Sequence, residues 1–398
     1  TVYLGMFLGG LPRLKLDRSG VALLGAIGVI GLGAVSTAQA ARAVDLPTIL
    51  LLFSFMVVSA QMRLGGFYGA VTRWVARWPL SRTGLLAALI AVTGALSAVF
   101  SNDIICLAMT PVVARLCLQR GLPPVPFLVG LACAANIGSA ATLIGNPQNM
   151  LIGSVMHLHF GAYLWKALPP VLSSLAILWA WLAWGPGSRT EVGDRAIAGA
   201  AAAHAVSEEP GFDRWQTAKG LAVAGALMAV FLFTDWPREV AALVGAGLLL
   251  LSRRFHSSQV MSFVDWELLV LFIGLFVVNH AFESTGLAAQ TVETLAGHGL
   301  YLSDPTPLLV IGTVLSNLVS NVPAVMLLLP HVKSPEMGVM LALVSTLAGN
   351  LLLVGSIANL IVVDLARSAG VAIDWKAHAA IGGPVTLASL GIVWLWLR

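Results

Sequence analysis

The heptapeptide LSAVFSN at positions 96–102 recurs 219 residues later as LSNLVSN at positions 315–321. A proline follows each copy at the same distance, Pro111 in the first and Pro330 in the second. Each copy places a Ser-Asn pair inside an apolar stretch. The chain therefore carries an internal repeat whose polar positions recur together with its apolar ones.

A second pair of segments supports the repeat. LACAANIGSAATLIGNPQNMLI (131–152) aligns without gaps with LALVSTLAGNLLLVGSIANLIV (341–362), now at a spacing of 210 residues. The positions identical in both copies, numbered in the first, are Leu131, Ala132, Leu143, Gly145 and Asn149. Small residues are common at helix contacts in membranes, so a single Ser or Asn would indicate packing only. Four such polar breaks in corresponding places favour a functional role.

The composition indicates an integral membrane protein. Of the 398 residues, 58% are hydrophobic and only 10% are charged, whereas a soluble domain has roughly 45–50% apolar and about 25% charged residues. The mean hydropathy is +0.90. The net charge of +4 is not concentrated in a basic patch, which argues against nucleic-acid binding.

The apolar runs predict an all-α membrane protein with about ten transmembrane helices, since a span needs about 20 apolar residues. The predicted spans are a short first one ending near Leu11, then 20–40, 46–62, 126–156, 167–185, 217–234, 238–252, 264–281, 338–367 and 379–397.

Two further apolar stretches, 83–118 and 305–333, predict re-entrant hairpins. Two crossings within 83–118 would leave each only about 16–17 residues, which is short for a span. Their connection would be Ser101-Asn102-Asp103, and irregular backbone at membrane depth is tolerated only inside protein or along a water-filled cavity. A hairpin that enters and leaves on one side satisfies both constraints.

The basic residues predict the orientation. With both hairpins re-entrant and the loop 11–19 in the cytoplasm, 17 of the 22 Lys and Arg residues fall on the cytoplasmic side, as the positive-inside rule requires. Both ends of the sequence are then periplasmic. The predicted units are an N-terminal repeat (1–185), a polar cytoplasmic linker (186–216) and a C-terminal repeat (217–398). Each repeat has five crossings, so the second is inverted, as in many secondary transporters.

The polar breaks are the candidate binding site. Serines at i and i+4 share a helix face, so we expect Ser97 with Ser101, and Ser316 with Ser320, to present hydroxyls to one point. Hydroxyl, amide and carbonyl oxygens suit Na⁺, and helices that resume after a break offer N–H groups to an anion. The candidate residues are Ser97, Ser101, Asn102, Asp103, Gly145, Asn146 and Asn149 in the first half, and Ser316, Asn317, Ser320, Asn321, Asn350, Gly355, Ser356 and Asn359 in the second.

Asp103 is the one acid within these breaks. An ionisable residue inside a membrane indicates function by default, so Asp103 is the candidate for proton or cation coupling. The alternative is that it caps the second hairpin helix, and the two roles are compatible. The sequence has no Walker motif, HExxH or GxSxG, so we expect neither ATP-driven pumping nor an enzyme.

The segments SND (101–103), GNPQNMLIG (145–153), SNVPAVMLLLP (320–330) and GSIANLIV (355–362) resemble the ion transporter superfamily. This group contains arsenite permeases, divalent-anion/sodium symporters and sodium/proton antiporters. GNPQN is most similar to bacterial permeases labelled anion transporters, and SND is similar to the arsenite-permease branch.

The resemblance implies inverted repeats, hairpins and an elevator-like movement of a transport domain against a scaffold. It also implies one Na⁺ site at Ser97, Ser101, Asn102 and the Gly145 region, and a second at Ser316, Ser320, Asn321 and the Gly355 region. Dicarboxylate transporters of the group have Ser-Asn-Thr at both tips, whereas this sequence has Asp103 and Val322 as the third residues. An acid repels a dicarboxylate, which favours proton coupling or a smaller or neutral oxyacid.

These observations predict a secondary active transporter of a small anion or oxyacid such as arsenite, coupled to H⁺ or Na⁺ and needing no other cofactor. A sodium/proton antiporter using Asp103 and, from a different class, an ion channel are the alternatives. The expected partners are the solute, membrane lipid and, by resemblance, a second copy of the chain and, for an arsenite-type member, a soluble ATPase. The expected location is the bacterial cytoplasmic membrane.

Overall fold

The computed structural model describes residues 2–3, 5, 16–185, 211–252 and 254–398, and every regular element within them is helical. Most of the predicted first span and most of the predicted linker lie outside these residues. The helices of the first half are α1 (Arg18–Gly31), α2 (Thr37–Ala43), α3 (Leu46–Leu64), α4 (Phe67–Ala76), α5 (Arg82–Val99), α6 (Asn102–Gln119), α7 (Pro124–Ser139), α8 (Pro147–Val155) and α9 (Phe160–Trp184).

The second half repeats this order. Its helices are α10 (Arg214–Phe233), α11 (Arg238–Leu250), α12 (Ser257–Met261), α13 (Trp266–Ser284), α14 (Leu287–Gly297), α15 (Pro305–Val319), α16 (Asn321–Leu328), α17 (Pro335–Ala348), α18 (Ile357–Ser368) and α19 (Trp375–Leu397). Short 3₁₀ turns follow α16 (Leu329–His331) and precede α18 (Leu353–Gly355).

Local chemistry explains why matching helices begin at matching places. Asp45 caps α3 and Asp265 caps α13, each accepting a hydrogen bond from the backbone N–H three residues later. Gly66 and Gly286, both in the left-handed region at φ of 67° and 74°, then start α4 and α14. Glycine takes this conformation without steric cost. The repeat seen in the breaks thus extends to the helices around them.

The two halves also exchange packing partners. Helix α1 packs on α13 of the second half, and its counterpart α11 packs on α3 of the first. Likewise α18 packs on α6 and α7. The core is therefore shared between the halves, and the breaks of both are brought together inside it.

The all-helical membrane fold predicted from the sequence is confirmed. Seven helices of the described part are long and apolar enough to cross a membrane, namely α3, α5, α6, α9, α10, α13 and α19. Two of these seven, α5 and α6, form the predicted hairpin 83–118, and each has 18 residues, more than the roughly 16–17 expected. Within the described residues, the other predicted spans correspond to shorter helices. In particular, 126–156 is built from α7 and α8, and 338–367 from α17 and α18. The inverted orientation and the re-entrant hairpins stay predictions.

Two predicted boundaries differ from the helix ends in the structure. The stretch 20–40 is not one helix, because α1 ends at Gly31 and Gly33 turns the chain at a φ of 73° before α2. The helix α10 begins inside the predicted linker, since the Asp213 carboxylate accepts hydrogen bonds from two N–H groups of its first turn. The bond from the Gln216 N–H, and then Arg254, hold the pKa of Asp213 below its usual value.

Candidate functional site

Four helix breaks meet in the core. The first hairpin breaks between α5 and α6, and the second between α15 and α16. The other two breaks separate α7 from α8 and α17 from α18. Asn146 and Asn350, which lie in the latter two, are each only 1% exposed. Buried amides need hydrogen-bond partners, and the partners found here come from both halves.

Asn136 of α7 is the centre of a network of side-chain amides. Its Nδ2 donates to Oδ1 of Asn350 at 2.8 Å and to Oδ1 of Asn359 at 3.2 Å. Its Oδ1 accepts from Nδ2 of Asn102 at 3.0 Å and from the Ser356 hydroxyl at 3.0 Å. The tip of the first hairpin is thus connected through one residue to the broken helix of the second half. We call Asn102, Asn136, Asn350, Ser356 and Asn359 the amide network.

A second set of bonds joins the other broken helix to α17. The Asn146 Nδ2 donates to the Ser139 hydroxyl at 3.0 Å and to the Thr346 hydroxyl at 3.2 Å. The Gln148 Nε2 also donates to Thr346, at 3.2 Å. Asn146 in addition caps α8 by accepting from the backbone N–H of Asn149 at 2.9 Å. Thr346 of the second half therefore contacts the break between α7 and α8 of the first half.

The Asn residues at the two hairpin tips contact corresponding carbonyls. The backbone N–H of Asn102 donates to the carbonyl of Gly145 at 3.3 Å. The Asn321 side-chain amide is oriented so that its nitrogen, and not its oxygen, faces two backbone carbonyls. In this orientation the nitrogen donates to the carbonyl of Gly355 at 3.3 Å and to the carbonyl of Ser345 at 3.0 Å. Gly145 and Gly355 are the identical glycines of the repeat. The structure thus brings each tip against the broken helix of its own half.

The expected geometry of the paired serines was wrong. Helix α5 ends at Val99, before Ser101, and Phe100 is extended at a φ of −114°. Helix α15 ends at Val319, and Ser320 has a φ of 76°. Ser97 and Ser101 therefore lie on different elements, as do Ser316 and Ser320, and the i, i+4 argument does not apply. A positive φ at a non-glycine residue is a strained conformation and is often found at functional sites.

Ser97 and Ser316 nevertheless share one property. Both are fully buried, and neither hydroxyl has a hydrogen-bond partner among the described residues. An unsatisfied buried polar group costs about 1–3 kcal/mol, so two of them at corresponding positions are unusual. Hydroxyl oxygens in this situation are available to a ligand.

Asp103 and Asn317 lie beside the network and not in it. Asp103 is half-buried in the first turn of α6, and Asp265 is close enough to act on it electrostatically. The Asn317 Nδ2 donates to the carbonyls of Thr313 and Ala348, both at 3.0 Å. Asn317 therefore holds the second hairpin against the end of α17.

The amide network is electrically neutral. Four of its five members contribute a side-chain amide and the fifth contributes a hydroxyl. Within the described ranges, no Lys, Arg, Asp or Glu side chain hydrogen-bonds to them. The first turns of α6 and α18 contribute Asn102 and Asn359, and the N-terminal end of a helix carries partial positive charge. Such a site offers both donors and acceptors without a fixed charge, which suits a small polar solute with several oxygens.

Sequence reasoning missed several residues of the site. Asn136 lies alone in an apolar stretch, and a buried amide in a membrane helix is itself a signal that could have identified it. Gln148 and His378 were also missed, although Gln148 lies within the quoted GNPQN break and His378 is ionisable. Three further missed residues gave no such signal, because small polar residues and aromatic residues are common in membrane helices. They are Ser139, Tyr163 and Thr346.

The chain is similar to known transporters over most of its length. Residues 6–348 match the family described as citrate transporter, CitMHS. The chain is 31% identical to the silicon efflux transporter LSI3 of Oryza sativa subsp. japonica, over 96% of this chain and 92% of that protein. It is 30% identical to an uncharacterized transporter of Mycobacterium tuberculosis, over 99% of this chain and 97% of that protein.

A solved structure shows the same fold. The YdaH transporter of Alcanivorax borkumensis superposes with a TM-score of 0.60 over 99% of this chain and 96% of that one, at 15% sequence identity.

Proposed function

The chain belongs to the citrate transporter family, CitMHS, and we propose that it is a secondary active transporter of a small oxyacid or its anion. The observation that carries this proposal is the amide network, because residues from both halves meet there in one buried polar site. Secondary transporters with repeated halves bind their solute at such an interface. A channel would instead need a continuous polar pore.

The chemistry of the network supports the class of solute. It combines amide N–H donors with amide and hydroxyl acceptors, and an oxyacid bearing hydroxyl groups can use both. The family description names citrate, and the name of one relative refers to silicon efflux. Asp103 next to the first tip disfavours a multiply charged anion unless a positive charge in the site compensates it, so without such a charge a neutral or singly charged solute fits best.

The coupling ion has two candidate sites. The unpartnered hydroxyls of Ser97 and Ser316 are the kind of neutral oxygen that Na⁺ prefers, and the tip residues Ser101, Asn102, Ser320 and Asn321 lie next to them in the chain. Asp103 is the candidate for proton binding, with Asp265 nearby. If Asp103 carries the exchanged cation and no other solute moves, the protein is a sodium/proton antiporter.

The proposed movement is of the elevator type. Each broken helix and the tip of its hairpin are bonded to one another, and the amide network connects the two halves, so they can move as one body. Helices α3 and α13 are the candidate scaffold. Such a transporter would act in the bacterial cytoplasmic membrane, and a homodimer is the expected assembly.

Uptake into proteoliposomes tests the proposal. Purified protein is reconstituted, labelled citrate, arsenite and silicic acid are offered one at a time, and Na⁺ and pH gradients are varied separately. We expect uptake of at least one compound to depend on a gradient, and we expect Asn136→Ala to take up that compound with a clearly raised KM. Sodium/proton exchange without uptake of any compound would support the antiporter, and single-channel currents would support a channel.

A further inference from the structure

His378 is a buried imidazole in direct contact with Asn350 of the amide network. It lies in the first turns of α19 and is only 1% exposed. Its Nε2 is 3.0 Å from the backbone carbonyl oxygen of Asn350, the residue whose side chain accepts from Asn136. Since a carbonyl oxygen can only accept, Nε2 carries the hydrogen in the neutral ring. The other ring nitrogen, Nδ1, is the atom that binds a further proton.

The first half has the same contact made by a residue that does not titrate near neutral pH. Tyr163 of α9 donates its hydroxyl to the carbonyl of Ala140 at 2.8 Å. Tyr163 and His378 both occupy the fourth residue of their helices, and Ala140 and Asn350 are aligned in the repeat at a spacing of 210 residues. Both rings therefore satisfy the carbonyl at the start of a break. Only the second half does so with a ring that can gain a positive charge by binding a proton.

The surroundings of His378 contain few charges. Helix α19 packs against α7, α9, α15 and α17 and against the 3₁₀ turn before α18. Lys166 of α9 is paired with Glu336 of α17 at 2.9 Å, and Lys376 lies over the Trp375 ring. The titratable groups on these elements and at their caps are Cys133, His159, Tyr163, Lys166, Asp304, Glu336, Asp374, Lys376 and Arg398. Among the described residues, none of them hydrogen-bonds the His378 ring.

From this geometry we propose that His378 is a proton-binding site of the transport cycle, and that its protonated ring supplies the positive charge for an anionic solute in the amide network. This inference rests on the proposed function. The network has no fixed positive charge, so an anion there gains from a charge added at His378. Conversely, a buried imidazolium with no acidic partner is costly, and an anion in the network offsets that cost.

Proton and anion binding are therefore mutually dependent. Coupling between two sites is reciprocal, so each ligand strengthens the binding of the other by the same factor. The hydrogen bond to Asn350 persists in both protonation states, because Nε2 donates in both. Protonation thus changes the charge of the site without dismantling it. The chemical class of solute that benefits is a small oxyanion.

The test uses labelled citrate as the anion and arsenite, which is largely uncharged near neutral pH, as the neutral probe. The wild-type protein in proteoliposomes should take up citrate when only a pH gradient is applied. His378→Gln keeps an N–H donor and His378→Tyr copies the first half. Both variants should lose this citrate uptake at least tenfold, whereas uptake of the uncharged arsenite should fall by a clearly smaller factor.

His298→Gln is the matched control, since the His298 ring is 2.8 Å from the Thr294 carbonyl but exposed. It should keep the wild-type dependence on pH between about 5.5 and 8.5, the range in which imidazole titrates. Citrate also titrates in this range, so the difference between the His298 and His378 variants is the readout.

The outcomes separate this inference from the proposed function. If His378→Gln retains proton-driven citrate uptake, or if the wild type uses only Na⁺ or carries only arsenite, the role of His378 is refuted and the transporter stands. If the wild type carries no compound under any gradient, the proposed function itself fails. If neither His378 variant folds, the wild-type measurement still refutes the role of His378 when uptake depends on Na⁺ alone or is confined to arsenite.

Discussion

Replacing Asn136 by alanine should separate solute binding from stability. The substitution removes the two donor bonds to Asn350 and Asn359 and the two bonds accepted from Asn102 and Ser356. A buried hydrogen bond contributes about 1 kcal/mol net, so the loss of four costs about 4 kcal/mol before any further cost of the partner groups left unpaired. Water entering the space left by the amide recovers part of this. We expect a loss of about 2–4 kcal/mol in stability.

The effect on solute affinity has a different origin. Without Asn136, the first hairpin tip and the second broken helix lose their common partner, and the donors and acceptors they present are no longer held in place. We expect the KM for uptake to rise ten- to a hundredfold, which corresponds to about 1.4–2.8 kcal/mol. The assay is initial uptake into proteoliposomes, with thermal unfolding of the same preparation in detergent.

Gln61→Ala is the matched control. Gln61 is also a fully buried amide, and its Nε2 donates to Oε1 of Gln216 at 2.6 Å. Neither residue belongs to any of the four helix breaks. This variant should lose stability and keep the wild-type KM. If Asn136→Ala takes up solute with an unchanged KM, or if Gln61→Ala shows the same loss of affinity, the amide network is not the solute site.

Three further changes probe the coupling site, the unpartnered hydroxyls and the packing. Asp103→Asn should abolish transport or remove its dependence on pH or Na⁺ while insertion is normal, and unchanged dependence on both would exclude Asp103 from coupling. Ser97→Ala and Ser316→Ala should leave the melting temperature unchanged or raise it, because each removes an unsatisfied hydroxyl worth about 1–3 kcal/mol. Uptake should nevertheless require about tenfold more Na⁺, and unchanged Na⁺ dependence would refute the ligand role. Gly138→Ala should lower stability by about 1–3 kcal/mol, because its Cβ would overlap the Gly94 backbone of α5. The control is Gly28→Ala, whose Cβ would meet no atom within 4 Å and which should keep the wild-type stability. Equal melting temperatures for the two variants would contradict the packing argument.

The sequence predicted the membrane fold and the positions of the breaks because both depend on local features. Long apolar runs give helices, and GNPQN and GSIAN interrupt them through residues that oppose or cap helices. The repeat then indicated that the breaks belong together. Asn102, Asn350 and Asn359 were predicted on this basis, and the structure joins them.

Other parts of the site depend on three-dimensional packing and could not be predicted. The bond between Asn136 and Asn350 joins residues 214 positions apart, and no local pattern encodes such a pairing. His378 and Tyr163 occupy corresponding positions but are different residue types, so comparison of the two repeats does not reveal their common role. The error at Ser97 and Ser101 arose because helical spacing was assumed to continue through Phe100, where the helix has already ended.

The central claim is that one solute site is formed jointly by the two halves, and a double-mutant cycle between Asn102 and Asn350 tests it most directly. The KM for proteoliposome uptake is measured for the wild type, Asn102→Ala, Asn350→Ala and the double variant. Because both residues bond the same Asn136 amide, their effects should not add. We predict that each single change raises the KM at least tenfold and that the second change costs clearly less once the first is made. Independent, additive effects, or uptake that neither change affects, would contradict a single shared site.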